Sequence, residues 1–164
     1  MTAFVLVPAI AGEIEAMPLC LLRGIAEGFE DAEEAAATLR AIFDQFETVA
    51  RPPQWGQFWS RDTAGDHYVG LVGFKSAPQD GAVEIAYFTF PRFEGRGFAS
   101  EAIRHLVAHA GRAVDRVIAH TLPEESPSTR ALRRCGFACV GDELDPEEGE
   151  VWRWERQSGR AGPA

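Results

Sequence analysis

The residues Arg92-Phe93-Glu94-Gly95-Arg96-Gly97-Phe98-Ala99 combine several things an anion needs. Two glycines, two apart, allow the left-handed backbone that turns successive N–H groups toward one point. The run of helical period that follows would add unpaired N–H groups and the positive end of a helix dipole. Arg92 and Arg96 bring local positive charge. A phosphate or diphosphate suits this pattern, although a lone Gly-x-Gly also describes an ordinary strand–helix turn with two solvated arginines. Two side chains elsewhere carry acid–base chemistry. Glu84 shares a strand face with Ala82, Ala86, Phe88 and Phe90, an apolar setting in which a carboxylate can serve as a general base. Gly81 lies close by, so the same residue also reads as a strand-end glutamate facing water. His120 ends a later strand and has the ring that titrates near neutral pH; a lone strand-end histidine reads equally as structural.

The elements that must position these residues follow from periodicity. Ala3-Phe4-Val5-Leu6-Val7 predicts a first strand, and residues 10–28 an apolar helix. Asp31 with Glu34 marks the start of a second helix carrying Ala35, Leu39, Ile42, Phe43 and Phe46 on one face, ended by Arg51-Pro52-Pro53. Residues 55–60, 68–74 and 82–90 read as strands joined by turns at 63–66 and 78–81, the last two as antiparallel neighbours. Ala99, Ala102, Ile103, Leu106, Val107 and Ala110 recur at helical spacing, and residues 117–121 form a short strand. Ser126 is an N-cap before Pro127, and Gly136 stops the helix that follows. Residues 137–140 and 151–154 finish as strands around an acidic loop, 142–150. The fold class is α/β, with a mixed, mostly antiparallel central sheet and helices on both faces. Residues 1–156 read as a single domain and 157–164 as a frayed tail.

Composition narrows the partners. With 16 Lys and Arg against 25 Asp and Glu in 164 residues, the net charge is -9, which argues against nucleic acid and is tolerant of cations. No run approaches the roughly 18 apolar residues of a membrane span, and the N-terminus has no basic leader. Cys20, Cys135 and Cys139 lack the partners of a metal site and read as thiols of a reducing cytoplasm. His105 and His109, four apart, miss the His-Glu-x-x-His zinc pattern and read as solvated helix residues; no metal is expected.

The loop and its neighbours together resemble one family. Arg-x-x-Gly-x-Gly-x-Ala at 92–99 is similar to the acyl-CoA pyrophosphate loop of the GNAT N-acetyltransferases. Glu84-Ile85-Ala86-Tyr87-Phe88 through Pro91 resembles their fourth strand, and residues 121–128, continuing to Leu132, Gly136 and Phe137, their second motif. The resemblance covers residues 68–154 and is nearest the RimJ/RimL branch. It implies acetyl-CoA as co-substrate, gripped through Phe88, Thr89, Phe90, Arg92, Gly95, Arg96, Gly97, Phe98, Ala99, Glu125 and Ser128, and an amine acceptor. Glu125 departs from the family, which usually has Asn there; an ionised carboxylate only accepts hydrogen bonds, whereas an amide also donates.

Amine acylation needs a neutral amine, a polarised thioester and a stabilised thiolate. Glu84 is the first expected base; from Phe90 back to Glu84 is about 20 Å of strand, a run along which a pantetheine arm could lie. His120 is the second. The resemblance gives Ser128 the leaving thiolate, while its place in a first helical turn also suits capping. Backbone N–H groups at 88–90 would polarise the carbonyl. Arg130 and Arg134 form a basic helix pair, read mainly as surface, with the cofactor's phosphate end as the alternative. Acidic runs at 30–34 and 142–150, if they flank the acceptor, favour a cationic one. The rivals are a non-catalytic acyl-CoA-binding or interaction module on this fold and a Rossmann-type nucleotide binder; Ser100 stands where the latter needs its third glycine. Trp152 and Trp154 suit either the core or the interface of a homodimer.

Overall fold

The computed structural model describes residues 4–9, 27–47 and 51–158. The chain runs β1 (Phe4–Ala9), α1 (Ala32–Glu47), β2 (Gln57–Asp62), β3 (His67–Phe74), β4 (Ala82–Thr89), α2 (Phe98–Ala110), β5 (Arg116–Thr121), α3 (Pro127–Arg134), β6 (Ala138–Asp145) and β7 (Gly149–Gln157). The seven strands form one sheet in the order β1-β2-β3-β4-β5-β7-β6. Every pairing is antiparallel except β4 with β5. This is the mixed, mostly antiparallel sheet that the sequence predicts. None of the described helices is long and apolar enough to cross a membrane.

Alternation along β4 sends neighbouring side chains to opposite faces. Tyr87 turns toward α3, where its hydroxyl donates to the Ser128 carbonyl at 3.4 Å. Phe88 turns to the other face and stacks on Phe29, just before α1, with ring centroids 6.2 Å apart. Helices thus cover both faces. Ile103 and Leu106 of α2 are fully buried with Val83, Val117 and Trp154, each such side chain contributing roughly 1.5–3 kcal/mol of burial. Trp154 belongs to the core, its indole N–H donating to Thr121 Oγ1 at 3.0 Å; Trp152 is half-buried beside it.

The feature that makes a site is a failure of pairing. β4 and β5 pair only at Ala82–Arg116, Val83–Val117 and Glu84–Ile118. Beyond Glu84, β4 keeps its partner β3 on one edge while β5 keeps β7 along its whole length. The two strands splay, and the open wedge between them is a cleft whose one wall is the unpaired edge of β4.

Several expectations need correction. Trp55 lies in a one-turn 3-10 segment, Pro53–Trp55, because Pro52 and Pro53 favour a turn, and β2 begins only at Gln57. The acidic stretch 142–150 is mostly strand: β6 runs to Asp145 and β7 starts at Gly149. Asp145 closes the short turn by accepting from the N–H groups of Glu147 and Glu148 at 2.8 and 2.9 Å. β7 continues through Gln157, and Ser158 is buried, its N–H donating to Asp115 at 2.9 Å and its hydroxyl to the Val114 carbonyl. The fold thus reaches past residue 156, and the rest of the expected tail lies outside the described residues. So do most of the helix expected at 10–28, the side chains of Phe43 and Phe46, and Cys20. His105 and His109 are not simply solvated, since the α2 face they share meets aromatic rings. His105 packs on Phe4 with centroids at 5.1 Å, and His109 on Phe58 at 5.3 Å and Phe74 at 5.6 Å.

Candidate active site

Two cavities open along the splay. The first, about 330 Å³, is bounded by Tyr87, Phe88 and Thr89 of β4, the Gly95–Gly97 loop, the first turn of α2, and Ser128, Arg130 and Arg134 of α3. The second, about 350 Å³, holds Lys75, Glu84, His120, Glu124 and Glu148 among its walls. Tyr87 and Ser128 border both, so their contact stands between the two. Burial and the apolar surroundings push the Tyr87 hydroxyl well above its ordinary pKa, which keeps it a hydrogen-bond donor across the neutral range.

The first cavity is built from backbone. Gly95 and Gly97 have φ of +74° and +87°, a conformation costly for any side chain with a Cβ. Among the described residues, a Cβ at either position would meet nothing within 4 Å. Gly97 is the N-cap of α2, and no side chain caps that helix, so its first N–H groups face the cavity without an intrahelical partner. The positive charge comes from α3. Arg92 lies in an exposed 3-10 turn and Arg96 spreads over the Phe93 ring at 5.5 Å, and neither reaches the cavity wall. Arg130 and Arg134 of α3 do. Phe98 and Ala99 line the cavity.

The backbone of β4 also needs a correction. The Phe90 N–H donates to the Val69 carbonyl at 2.9 Å, and Phe90 is fully buried. It is committed to β3 and cannot polarise a substrate. Alternation gives Phe88 the same direction and leaves the Thr89 N–H on the unpaired edge, facing the splay.

Glu125 does not face either cavity. Arg133 donates to its two oxygens at 2.6 Å each, and the Thr129 hydroxyl donates at 3.3 Å. The Arg133 hydrogen bond, outweighing a small desolvation penalty, holds the Glu125 carboxyl below its usual range. The start of α3 is secured without it. Ser126 accepts from the Thr129 N–H at 3.3 Å, while the Ser126 N–H donates to Thr129 Oγ1 at 3.0 Å, and Pro127 occupies the first helical position.

The second cavity is built from side chains. Glu84 Oε1 lies 2.9 Å from His120 Nδ1 and 2.8 Å from Lys75 Nζ. Glu84 is therefore not the isolated carboxylate its apolar strand face suggests. His120 Nε2 stands 3.2 Å from Glu143 Oε2 on β6, and Arg153 bridges Glu143 at 3.1 Å and Glu155 at 2.9 Å. With both ring nitrogens on carboxylates, the two contacts are hydrogen bonds together only when both nitrogens carry hydrogen. The structure brings together the two expected bases, 36 residues apart in sequence on β4 and β5. Lys75, Tyr87 and Glu143 were missed: Tyr87 looks like core in a strand of apolar residues, and Glu143 like one more acid in an acidic run. Lys75 had a signal, because the sequence contains no other lysine. Among the described residues no group of three His, Cys, Asp or Glu side chains is arranged to hold a metal ion.

A splayed pair of parallel strands thus has a glycine cradle at a helix start on one side and acid–base groups on the other. The chain belongs to the GNAT acetyltransferase family, whose domain matches residues 14–138. It is 31% identical over 98 residues to the uncharacterized N-acetyltransferase p20 of Bacillus licheniformis; that stretch is 58% of this chain and 51%, about half, of that relative. Its fold is similar to RimL, the ribosomal L7/L12 alpha-N-protein acetyltransferase in complex with coenzyme A, with a TM-score of 0.64 and 17% identity over 96% of each chain. It is likewise similar to the spermidine N-acetyltransferase of Vibrio cholerae in complex with CoA and spermine, with a TM-score of 0.61 and 17% identity over 95% of this chain and 96% of that one. At such identities the likeness is one of fold.

Proposed function

We propose that this protein is an N-acetyltransferase that moves acetyl from acetyl-CoA directly to a primary amine, in a ternary complex and without a metal. One observation carries the reading: the backbone cradle and the Glu84–His120 pair lie in two cavities that share Tyr87 and Ser128. The diphosphate sits on the amides around Gly95 and Gly97, with Arg130 and Arg134 alongside. The pantetheine arm follows the unpaired edge of β4, where the Thr89 N–H polarises the thioester carbonyl. Glu84 is the base that removes the ammonium proton, with His120 2.9 Å away to relay it, and Glu143, exposed at the far side of the ring, passes it to water. Ser128, at the junction, hydrogen-bonds the leaving thiolate.

The acceptor is a cation. Glu84, Glu124 and Glu148 outnumber the basic groups of the second cavity, which are Lys75 and His120, so an ammonium is favoured and an anionic acceptor opposed. Small amines and protein N-terminal amines both fit this class, as in the RimJ/RimL branch. A cytoplasmic location belongs to the same reading, with the thiols of Cys135 and Cys139 unlinked. A thiol-release assay over a panel of amines tests it, with CoA binding followed in parallel by calorimetry. Turnover on cationic primary amines is expected. Tight CoA binding with no turnover on any amine would instead make the protein a non-catalytic acyl-CoA-binding module.

A further inference from the structure

Of the 16 Lys and Arg side chains in the sequence, Lys75 is the only lysine, and it stands in the acceptor cavity. Its backbone N–H donates to the Glu84 carbonyl at 3.0 Å, which fixes its Cα beside the proposed base. Its ammonium lies 2.8 Å from Glu84 Oε1, the same atom that meets His120 Nδ1. A primary amine thus already occupies the position where an acceptor must give up its proton. The side chain is 37% exposed, on a flexible four-carbon stem. Glu84 and Tyr87 are three residues apart on β4, about 10 Å. Thr89, whose N–H is proposed to hold the thioester carbonyl, lies two residues further, about 17 Å from Glu84, so attack by Lys75 requires the acetyl group to advance past Thr89 and Ser128 toward Glu84.

We propose that Lys75 is itself an acetyl acceptor: lacking an external amine, the protein acetylates its own Nζ. The proposal rests on the acetyltransferase reading above. The Lys75 ammonium gives one proton to the Glu84–His120 pair, and the freed lone pair attacks the thioester carbonyl carbon. As the C–N bond forms and the C–S bond breaks, sulfur leaves with the bonding electrons. The second proton lost by nitrogen ends on that sulfur, so the products are a neutral amide, CoA thiol and one proton released through Glu143. The modification removes a positive charge from a cavity that keeps Glu84, Glu124, Glu148 and His120 and places an acetamide against the base. It therefore slows turnover on external amines, a brake that acts when acetyl-CoA is plentiful and acceptor scarce.

The test incubates the full chain with acetyl-CoA alone and follows intact mass and peptide mapping. The expected result is one acetyl group on Lys75, added at least about a hundredfold faster than to the same chain unfolded in urea, the lower end of acid–base catalysis. Excess external amine and excess free CoA should each suppress it, and Glu84→Gln should slow it by a similar factor while still binding CoA by calorimetry. Equal rates in folded and unfolded chain, or no effect of Glu84→Gln, free CoA and amine, would overturn the proposal. Thiol release on external amines with Lys75 unmodified overturns self-acetylation alone. No thiol release under any condition, with Lys75 unmodified, overturns the transferase reading as well.

Discussion

The two halves of the cleft are made of different material. On the proposed cofactor side the wall is backbone: two left-handed glycines, the uncapped first turn of α2 and one edge amide of β4. These all come from one stretch of about a dozen residues, helped by two arginines of α3. On the proposed acceptor side the wall is side chains, one or two from each of several elements. Lys75 follows β3, Glu84 is on β4, His120 on β5, Glu143 on β6, and Arg153 and Glu155 on β7, in an alternating chain of charge. A backbone site tolerates most substitutions except at the residues that set φ. A side-chain site changes its specificity with single substitutions and leaves the fold alone. The fold can keep one co-substrate and vary the other.

The contrast is sharpest at Glu84. Glu84→Gln keeps the shape of the acceptor cavity and removes the proton acceptor. Turnover is expected to fall by about 10²–10⁴, the usual range for general acid–base catalysis, with CoA affinity little changed. Steady-state kinetics beside calorimetry decides it; equal losses in both would erase the division between the halves. Gly97→Val probes the other half. A Cβ there meets no atom, so the damage comes from φ of +87°. Strain of about 1–3 kcal/mol is expected to appear as a loss of CoA affinity of roughly 5- to 100-fold. Unchanged CoA affinity would show that the cradle is not where the diphosphate binds.

The same division explains what was legible beforehand. The glycine loop, the α2 start and the capped α3 are local in sequence, and their turn chemistry announces them at Gly95, Gly97, Ser126 and Pro127. Strand order and the β4–β5 splay are not local, because they depend on which edges remain unpaired after the chain has folded. Arg92 and Arg96 adjoin the loop in sequence, but the cavity wall is lined by Arg130 and Arg134 instead, because sequence nearness does not set the direction a side chain takes. The partnership of Glu84 with His120 and Lys75 depends on β4 and β5 being neighbours, which no periodicity reveals.

Protonation gives a milder way to separate the halves. The Arg153 hydrogen bond, then that to His120, holds the Glu143 carboxyl below its usual range. A depressed carboxyl stabilises the fold above its unfolded value, about 4.3, and that contribution is lost as pH falls through the folded value. Lys75 is the reverse case. Burial opposes its charge, but the Glu84 hydrogen bond and the fields of Glu84, Glu148 and Asp145 prevail and raise its pKa. Its contribution is complete below about 10.4 and is lost as pH rises through the folded value. Because both side chains are more than a third exposed, each effect is expected to stay under about 1 kcal/mol. Denaturant melts across pH should show Glu143→Gln flattening the acid limb and Lys75→Met the alkaline one, with no change in CoA affinity at pH 7 from Glu143→Gln.

The smallest effect belongs to the residue that departs most visibly from the family pattern. Glu125 stands where an amide is usual, but its carboxylate is turned to Arg133 and Thr129 and borders neither cavity. Ser126, Thr129 and Pro127 start α3 without it. Glu125→Asn therefore breaks only an exposed ion pair, of the kind that contributes little, and CoA affinity and turnover should each change by less than about twofold. A tenfold gain in CoA affinity would mean that an amide at this position reaches the pantetheine arm. In that case the cofactor half would be side-chain chemistry too, and its independence from the acceptor half would be lost.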